Sequence, residues 1–301
     1  MKVISIGEVL WDVVGSVEHL GGASFNFAAH LARLGHEVIF ISTVGKDERG
    51  QRILRAMPEL GLTPCYVREA DSHPTGFVTV TLTQGQPSYV LHRPAAYDFP
   101  GLTAKQCDEL AAKNIDWIYF GTLSQIGGEA RQFTAKLLQL LPRARRFYDV
   151  NLRRDSWNPQ LLRSLAEEAS VMKLNDEEVP EVARALGQPH ESLRTFCIAA
   201  ARACRLDAIC VTRGARGCAL LIGNDYVEAE GRAVQVADTV GAGDAFAAGF
   251  LHGLGSGWDA LRIAEFANRV GALVASRPGA IPPWSIEEVE TMKVQTHSDP
   301  A

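Results

Sequence analysis

The 301-residue sequence predicts an α/β protein built on a doubly wound, mostly parallel sheet. Three observations favour this class. Short, continuously apolar runs of the kind found in buried parallel strands alternate with segments of helical periodicity. Glycines and prolines fall between these segments, where turns are needed. They are spread evenly and form no linker, so we expect the whole chain, 1–301, to be one domain.

The first elements establish the alternation. Val3–Ile6 is an apolar run that predicts a central strand, and the extended segment 8–14 carries Asp12. The turn Gly21-Gly22 then opens a helical pattern that ends at Gly35, because glycine is common just after a helix C-terminus. These elements form the start of a strand–helix repeat.

The repeat is interrupted between Thr75 and His92, where two strands with period-2 alternation surround Gln84–Pro87. This pattern predicts a hairpin outside the main sheet, as a flap. Its apolar residues need cover, which predicts a homodimer through the flap; they are Phe77, Val78, Val80 and Leu82. The other predicted strands are 36–43, 117–120, 146–150, 171–174, 208–212, 218–222 and 226–228, and the other predicted helices are 48–60, 104–112, 129–141, 159–169, 176–186, 193–204, 260–275 and 286–292.

Composition excludes several classes of partner. A net charge of -5 and a pI near 5.9 argue against nucleic acid and anionic membranes. The start of the chain reads as a strand, and no segment approaches 18 uninterrupted apolar residues. The six cysteines form no CxxC pair, which favours reduced thiols in a cytoplasmic protein.

The stretch 238–251, DTVGAGDAFAAGFL, carries the strongest chemical signal. Gly241, Ala242 and Gly243 lead directly into a helix, so backbone N–H groups and the helix dipole can bind an anion. A carboxylate at this place, Asp244, would repel phosphate unless it removes a proton from an incoming hydroxyl. The pattern therefore indicates a small-molecule kinase. The alternative is an ordinary helix start, where an acidic residue contributes about 0.3–1 kcal/mol.

Polar residues follow three predicted strands, at 149–153, 173–178 and 212–217. Ligands of open parallel sheets bind outside the carboxyl ends of strands, so these residues are candidates for a site. Asn175 is equally well explained as a helix N-cap, and Gly214 and Gly217 as turn residues. Asn175 together with Glu178 could also place a carboxylate near hydrated Mg²⁺.

These motifs together resemble the ribokinase-like carbohydrate kinases of the phosphofructokinase B type, and within them most closely the bacterial fructokinases. The resemblance covers Lys2 to about Pro282. It implies a three-layer sandwich whose central sheet is mostly parallel, with a small β lid contributed by about 8–22 and 74–98. The matching motifs are GEVLWD, GGASFNFAAHLARLG, VGKDERG, PTGFVTV, AAYDF, YDVNLR, KLNDEE, VTRGARG and DTVGAGDAFAAGF.

The resemblance also implies a role for each matching residue. Asp244 is the implied catalytic base, with the anion hole formed by Gly241, Ala242 and Gly243. ATP and Mg²⁺ are the implied cofactors, with Glu178 near Mg²⁺ through water and Asp238 in a loop that binds a monovalent cation such as K⁺ in several relatives. The implied sugar-binding residues are Asp12, Gly22 and Asn26, and the implied nucleotide-binding residues are Asn175, Thr212, Gly214, Gly217 and Asn268.

The acceptor is left open between two sugars. GEVLWD and AAYDF favour fructose, converted to fructose 6-phosphate, whereas Arg93 and Arg153 could orient a sugar or pair with the carboxylate of 2-keto-3-deoxygluconate. Kinases that act on 2-keto-3-deoxygluconate resemble one another in a YxR motif whose arginine corresponds to Arg93. This chain has Leu91 at the position of the tyrosine, and Tyr89 is expected to point to the opposite face of its strand. A non-catalytic sugar-binding regulator on the same fold is a third alternative.

Overall fold

A computed structural model describes residues 1–83 and 86–292, with side chains for all of these except 80–83 and 86–89. Its strands are β1 Lys2–Ile6, β2 Leu10–Val14, β3 Val17–Gly21, β4 Glu37–Gly45, β5 Val67–Ala70, β6 Gly76–Thr83, β7 Gln86–Leu91, β8 Trp117–Gly121, β9 Arg145–Asp149, β10 Val171–Asn175, β11 Ala208–Thr212, β12 Cys218–Ile222 and β13 Asp225–Ala229. Its α-helices are α1 Ala23–Arg33, α2 Glu48–Ala56, α3 Ala104–Ala111, α4 Thr122–Gln125, α5 Gly128–Leu140, α6 Pro159–Glu168, α7 Val179–Leu186, α8 Leu193–Cys204, α9 Ala242–Gly255, α10 Ala260–Ala275 and α11 Ile286–Thr291.

The large sheet has nine strands in the order β13-β12-β11-β10-β9-β8-β1-β4-β5. Strands β11 through β5 of this order run parallel, and β12 and β13 are antiparallel at one edge. The central parallel strands β1, β8 and β11 are almost wholly buried because helices cover both faces of the sheet. The carboxyl ends of β1, β9, β10 and β11 therefore open onto one edge, where a ligand can bind.

The two covered faces form separate apolar cores. On one face, the Phe27 ring of α1 stacks on Tyr119 of β8 with 3.7 Å between centroids, and α9 and α10 pack beside α1. On the other face, Phe120 and Tyr148 stack under α5 and α6. These layers confirm the predicted three-layer α/β fold.

A second, small sheet has the order β3-β2-β6-β7 and lies outside the large one. It is tied to α2 by the Glu18 carboxylate, which binds Arg49 at 2.6 Å and Arg52 at 2.5 Å. The same guanidinium groups lie over the rings of Phe77 and Trp11, at 4.3 and 4.0 Å from the centroids. This sheet corresponds to the predicted lid. The description of the chain as one domain with lid segments 8–22 and 74–98 stays a prediction.

Several elements differ from the sequence-based expectations. Strands β3 and β5 and the short helix α4 were not predicted, because β3 and β5 are short and carry exposed polar residues. The predicted helix 48–60 ends at Ala56 and continues as a 3₁₀ turn at Pro58–Leu60, since proline interrupts an α-helix. The prediction of a helix from residue 176 is also wrong: α7 begins at Val179.

The expectation that the flap exposes its apolar residues is wrong for Phe77 and Val78. Phe77 is stacked between Arg49 and His92, and Val78 is buried against Leu10. Val80 and Leu82 lie outside the described side chains. The expectation that Tyr89 lies on the opposite strand face is also wrong. The register pairs Tyr89 with Val80 and Leu91 with Val78, so Tyr89 and Leu91 are two positions apart and belong to the same face of β7.

Candidate active site

The first turn of α9 is shaped to accept an anion. Gly241 precedes the helix with φ 77° and has no side chain to cap the first turn, while the Ala242 N–H donates to the Thr239 carbonyl over 3.3 Å. A Cβ on Gly241 would lie 2.3 Å from the carbonyl oxygen of Ala280, so a side chain is excluded by both conformation and contact. Unpaired N–H groups at a helix N-terminus attract negative charge. That the cradle 241–243 binds an anion stays a prediction.

Asp244 stands in this turn and is buried, with 8% of its surface exposed. Its Oδ2 accepts a hydrogen bond of 2.8 Å from Nδ2 of Asn26 on α1. Burial raises the pKa of Asp244 from 3.8 to about 7, although Lys173 and the Asn26 hydrogen bond act in the opposite direction. A carboxylate with a pKa near neutrality suits a general base, because at neutral pH a large fraction of it is ionised and it is basic enough to accept a proton.

A buried ion pair lies beside this turn. Lys173 Nζ is 3.0 Å from both carboxylate oxygens of Asp149, and the Tyr119 hydroxyl donates to the same carboxylate over 3.0 Å. Lys173 is 6% exposed and Asp149 is fully buried. Burial lowers the pKa of Lys173, but the Asp149 and Asp244 carboxylates outweigh it and raise the pKa above its usual value. The ammonium therefore stays charged.

Three further ionisable groups, Glu8, Asp12 and Arg153, are linked to one another by their charges. Glu8, which follows β1, is buried, and burial raises the pKa of its carboxyl group. Asp12, on β2, is partly buried, and its pKa is raised for the same reason. The charge of exposed Arg153 lowers the pKa of Glu8, Asp12 and Asp244 alike. The structure brings Asn26 and Asp244 into contact, and the binding roles of Asp12 and Arg153 stay predictions.

Gly22 precedes α1 and lets the chain pass close to Glu8. It has φ 108°, and a Cβ there would lie 2.7 Å from the Glu8 carbonyl oxygen. Any other residue would push α1, and with it Asn26, away from the strand. The structure thus gives Gly22 a role in positioning Asn26.

Arg93 is held by the protein itself. Its Nη2 is 2.5 Å from Asp98 Oδ1, Nε donates to the other oxygen of Asp98, and Nη1 donates to the carbonyl of Leu123 over 3.0 Å. Arg93 also lines a cavity of about 600 Å³ in front of α5. Its predicted contact with substrate stays a prediction, since this guanidinium is already occupied in binding Asp98.

Asn175 and Glu178 form a reciprocal turn after β10. Asn175 Oδ1 accepts from the Glu178 N–H over 3.0 Å, and Glu178 Oε2 accepts from the Asn175 N–H over 2.8 Å. Glu178 Oε1 accepts from Leu152 N at 2.6 Å, so this carboxylate joins the ends of β9 and β10. Burial raises the pKa of Glu178. Thr212 is paired with Asn175 in the sheet and lies at the same edge.

The remaining nucleotide-site candidates lie beside β12 and α10. Gly214 and Gly217 bound a 3₁₀ turn with φ 56° and 85°, and a Cβ on Gly217 would lie 2.0 Å from the carbonyl oxygen of Ala229. Asn268 Nδ2 donates to the carbonyl of Glu230 over 3.1 Å. Asn268 therefore fixes the loop that follows β13, and close contact with the backbone requires glycine at Gly217.

Asp238 fixes the loop in front of the anion cradle. Its two oxygens accept from the N–H groups of Val240, over 3.0 Å, and Gly279, over 3.2 Å. On the other side of the same loop, Trp284 Nε1 donates to His30 Nδ1, so His30 Nε2 carries a proton and donates to the Ala280 carbonyl over 3.0 Å. The cradle is thus supported from both α1 and the 277–284 segment.

Sequence reasoning did not single out Lys173, Asp149, Glu8 or His30. Lys173 and Asp149 were noticed only as polar residues at strand ends. The signal that could have found them is the presence of ionisable residues inside apolar runs, because a charge in a buried strand needs a partner. Among the described residues, no helix is long and apolar enough to cross a membrane.

The chain is similar to several known sugar kinases. The chain is 30% identical over 304 residues to the uncharacterized sugar kinase PH1459 of Pyrococcus horikoshii, covering 94% of this chain and 92% of that protein. It is 30% identical over 276 residues to a fructokinase of Escherichia coli, covering 87% of both, and 28% identical over 300 residues to the aminoimidazole riboside kinase of Salmonella typhimurium, covering 93% and 91%.

The solved structure of PH1459 in complex with ATP matches the fold with a TM-score of 0.81 and 26% identity, covering 96% of this chain and 99% of that one. A family model described as pfkB family carbohydrate kinase matches residues 5–287. This match spans far more than half of the chain, including both sheets and the anion cradle. The chain therefore belongs to the pfkB family of carbohydrate kinases.

Proposed function

We propose that the protein transfers the γ-phosphoryl group of ATP to the primary hydroxyl of D-fructose, giving fructose 6-phosphate and ADP. The observation that supports this most strongly is the buried Asp244 carboxylate in the first turn of α9, in contact with Asn26. Asp244 takes the proton of the attacking hydroxyl, whose oxygen forms a bond to the γ-phosphorus as the bond to the β-phosphate oxygen breaks. The proton remains on Asp244 and ADP leaves.

The neighbouring residues have complementary roles in this proposal. The N–H groups of the cradle 241–243 stabilise charge on the migrating phosphoryl group. Asp12 and Asn26 bind sugar hydroxyls, with Gly22 allowing the approach of α1, and the small sheet covers the sugar to exclude water. Support for the nucleotide comes from the ATP complex of the homologous PH1459. Asn175 and Thr212 would face the phosphates, with the loops fixed by Gly214, Gly217 and Asn268.

The donor set is compatible with Mg²⁺ bound through water. Each Glu178 oxygen accepts one backbone N–H and keeps a second acceptor position for a metal-bound water. Mg²⁺ retains several waters and is commonly bound by substrate phosphates together with one or two carboxylates. When bound, it would neutralise charge on the phosphates. A monovalent cation such as K⁺ near Asp238 belongs to the same proposal.

An acceptor screen with detection of ADP tests the proposal directly. We expect Mg²⁺-ATP and D-fructose to give the highest kcat/KM among neutral sugars. Asp244→Asn should lower kcat by at least about 10²–10⁴-fold with the fold intact. Turnover near that of the parent protein would contradict the assignment of Asp244. Fructose binding with no ADP formation would favour the sugar-binding regulator instead.

A second candidate acceptor is 2-keto-3-deoxygluconate, and Arg153 is the observation that favours it. Its guanidinium is exposed among Glu8, Asp12 and Asp244, where it could pair with a substrate carboxylate. Arg153→Ala would then abolish activity on the acid and leave a neutral sugar little affected. Arg154→Ala, an exposed neighbour, is the matched control. Equal losses on acidic and neutral sugars would contradict carboxylate recognition.

The proposal also includes a homodimer through the small sheet and a cytoplasmic location. Val14 and Val17, paired beside the turn that joins β2 and β3, are 40% and 53% exposed and would be covered in a dimer. All six cysteines are free thiols and four are buried, as suits a reducing compartment. The molar mass in solution tests the dimer, and Val17→Glu should convert a dimer to a monomer.

A further inference from the structure

The buried pair Lys173–Asp149 has no role in the function proposed above. Both residues lie on neighbouring central strands of the large sheet, and their charges are almost completely removed from water. Burying two charges costs several kcal/mol per ion, and an apolar pair of the same size is often at least as stable. A contribution to stability is therefore a weak explanation for the presence of this ion pair. Its position beside the anion cradle suggests a role at the site instead.

The position of the ammonium is fixed relative to the cradle. A Cβ built on Gly243 would lie 3.6 Å from Lys173 Nζ, so the ammonium is directly under the first turn of α9. Asp244 is the next residue in that turn. An ammonium has three donors, and Asp149 occupies two of them, which leaves one for the side of the cradle.

A buried carboxylate needs such a neighbour to act as a base. Removal from water favours its protonated form, which cannot accept the proton of a sugar hydroxyl. Lys173 is the group that opposes this effect most strongly at Asp244. Asp149 in turn holds the flexible lysine in one position, and Tyr119 holds Asp149.

We propose that Lys173, held by Asp149, is a positioning residue for phosphoryl transfer: its buried ammonium keeps the Asp244 carboxylate ionised beneath the migrating phosphoryl group. This inference rests on the function proposed for Asp244. The other groups that act on Asp244 are Arg153 and Asn26, both favouring its charged form, and Tyr119, a neutral phenol from β8. Asp149 itself acts against ionisation of Asp244 through its like charge.

Lys173 and Asp149 must therefore have opposite effects on the pKa of Asp244. Lys173→Met keeps the length of the side chain and removes its charge, so the pKa of Asp244 should rise by about 1–3. Asp149→Asn keeps the shape, and its amide oxygen can still accept a hydrogen bond from Lys173 and hold the lysine in place. It removes only the opposing charge, so the pKa of Asp244 should fall. Loss of a merely structural contact would not change this pKa in opposite directions. Lys105→Met, the same substitution on an exposed lysine of α3, is the matched control.

Two measurements report on this in the parent protein and the variants. The first is the acid limb of the pH profile of kcat/KM for fructose, and the second is the ¹³C titration of the Asp244 carboxyl carbon without substrates, assigned with Asp244→Asn. In Lys173→Met the acid limb should move upward by at least about one pH unit, so that kcat/KM at pH 7 falls at least about fivefold and recovers at higher pH.

Unchanged titration of Asp244 in Lys173→Met, or pKa changes in the same direction in both single variants, would overturn the inference. If a single variant does not fold, the double variant Lys173→Met/Asp149→Asn leaves no unpaired charge and should still raise the pKa of Asp244, because Lys173 acts on Asp244 more strongly than Asp149 does. An unchanged pKa in the double variant would also overturn it. Opposite changes in the ¹³C titration of a protein that phosphorylates no sugar would support the pairing and contradict the proposed function.

Discussion

Asn26 Nδ2 donates to Asp244 Oδ2 over 2.8 Å, although the two residues are 218 positions apart in the sequence. The contact joins α1, which follows the small sheet, to α9, which begins at the anion cradle. The proposed acceptor site and the proposed phosphate site therefore meet at one hydrogen bond. Asn26 Oδ1 is buried with no hydrogen-bond partner among the described residues, and a sugar hydroxyl would satisfy it.

We expect Asn26→Ala to raise the pKa of Asp244 further, because the hydrogen bond stabilises the charged carboxylate. The acid limb of kcat/KM should move upward, and KM for the sugar should rise as a hydroxyl partner is lost. Asn224→Ala, in an exposed turn between β12 and β13, is the control and should leave both unchanged. If the acid limb of kcat/KM in Asn26→Ala were the same as in the parent protein, the hydrogen bond from Asn26 would not affect the pKa of Asp244, contrary to this prediction.

Asp244→Asn should stabilise the free protein at pH 8. The pKa of Asp244 is raised from 3.8 in the unfolded chain to about 7 in the fold, so the unfolded state releases its proton first as pH rises. Stability from this group is complete below about pH 4 and is lost as the pH rises towards 7, by about 1.4 kcal/mol for each pH step of one. Thermal unfolding at pH 4 and pH 8 measures the difference, and equal effects at both values would contradict the raised pKa.

Gly241→Ala should be far more damaging than Gly243→Ala. At Gly241, the added methyl group meets the Ala280 carbonyl oxygen at 2.3 Å and the backbone has φ 77°. At Gly243, the methyl group would lie 3.6 Å from Lys173 Nζ, an ordinary contact distance. We expect Gly241→Ala to lower the melting temperature by several degrees and to abolish activity. Equal melting temperatures for the two variants would contradict the fit of Gly241 against Ala280.

His30 should contribute stability with the opposite pH dependence. Burial lowers the pKa of His30 from 6.5 to about 4, so stability from this group is lost as pH falls from 6.5 towards 4. His30→Phe removes this dependence and also both hydrogen bonds, to Trp284 and Ala280. We expect lower stability at pH 7 and a smaller loss between pH 7 and pH 4. His190→Phe, at an exposed histidine, is the control.

The α/β class and most central strands could be predicted because buried strands leave an unmistakable apolar run, as at β11 Ala208–Thr212. The start of α9 was equally predictable, since glycine and small residues mark it locally. Strand β3 was not, because Glu18 and His19 give it no apolar alternation; it is held by pairing with β2 and by ion pairs to α2. Such tertiary stabilisation leaves no local signal.

The candidate site shows the same division. Asp244 and Asn26 were identified through motifs, and the structure brings them into contact. The part played by Lys173 depends on which strands are neighbours: Asp149 on β9 and Lys173 on β10 pair directly in the sheet. The sequence predicts polar residues at the ends of both strands but not that the two strands are neighbours in the sheet. The ion pair could therefore not be predicted from the sequence.

The attachment of the small sheet to α2 restricts how the protein can open. Asp47, just before α2, accepts from the N–H and hydroxyl of Thr75, just before β6, while Trp11 Nε1 donates to the Arg49 carbonyl. These contacts favour movement of the sheet and this helix as one body, with any hinge in the chain outside them. Trp11 lies at the contact between the small sheet and α2, under the Arg52 guanidinium. Its fluorescence would stay constant if the sheet and α2 moved together and would change only if they separated.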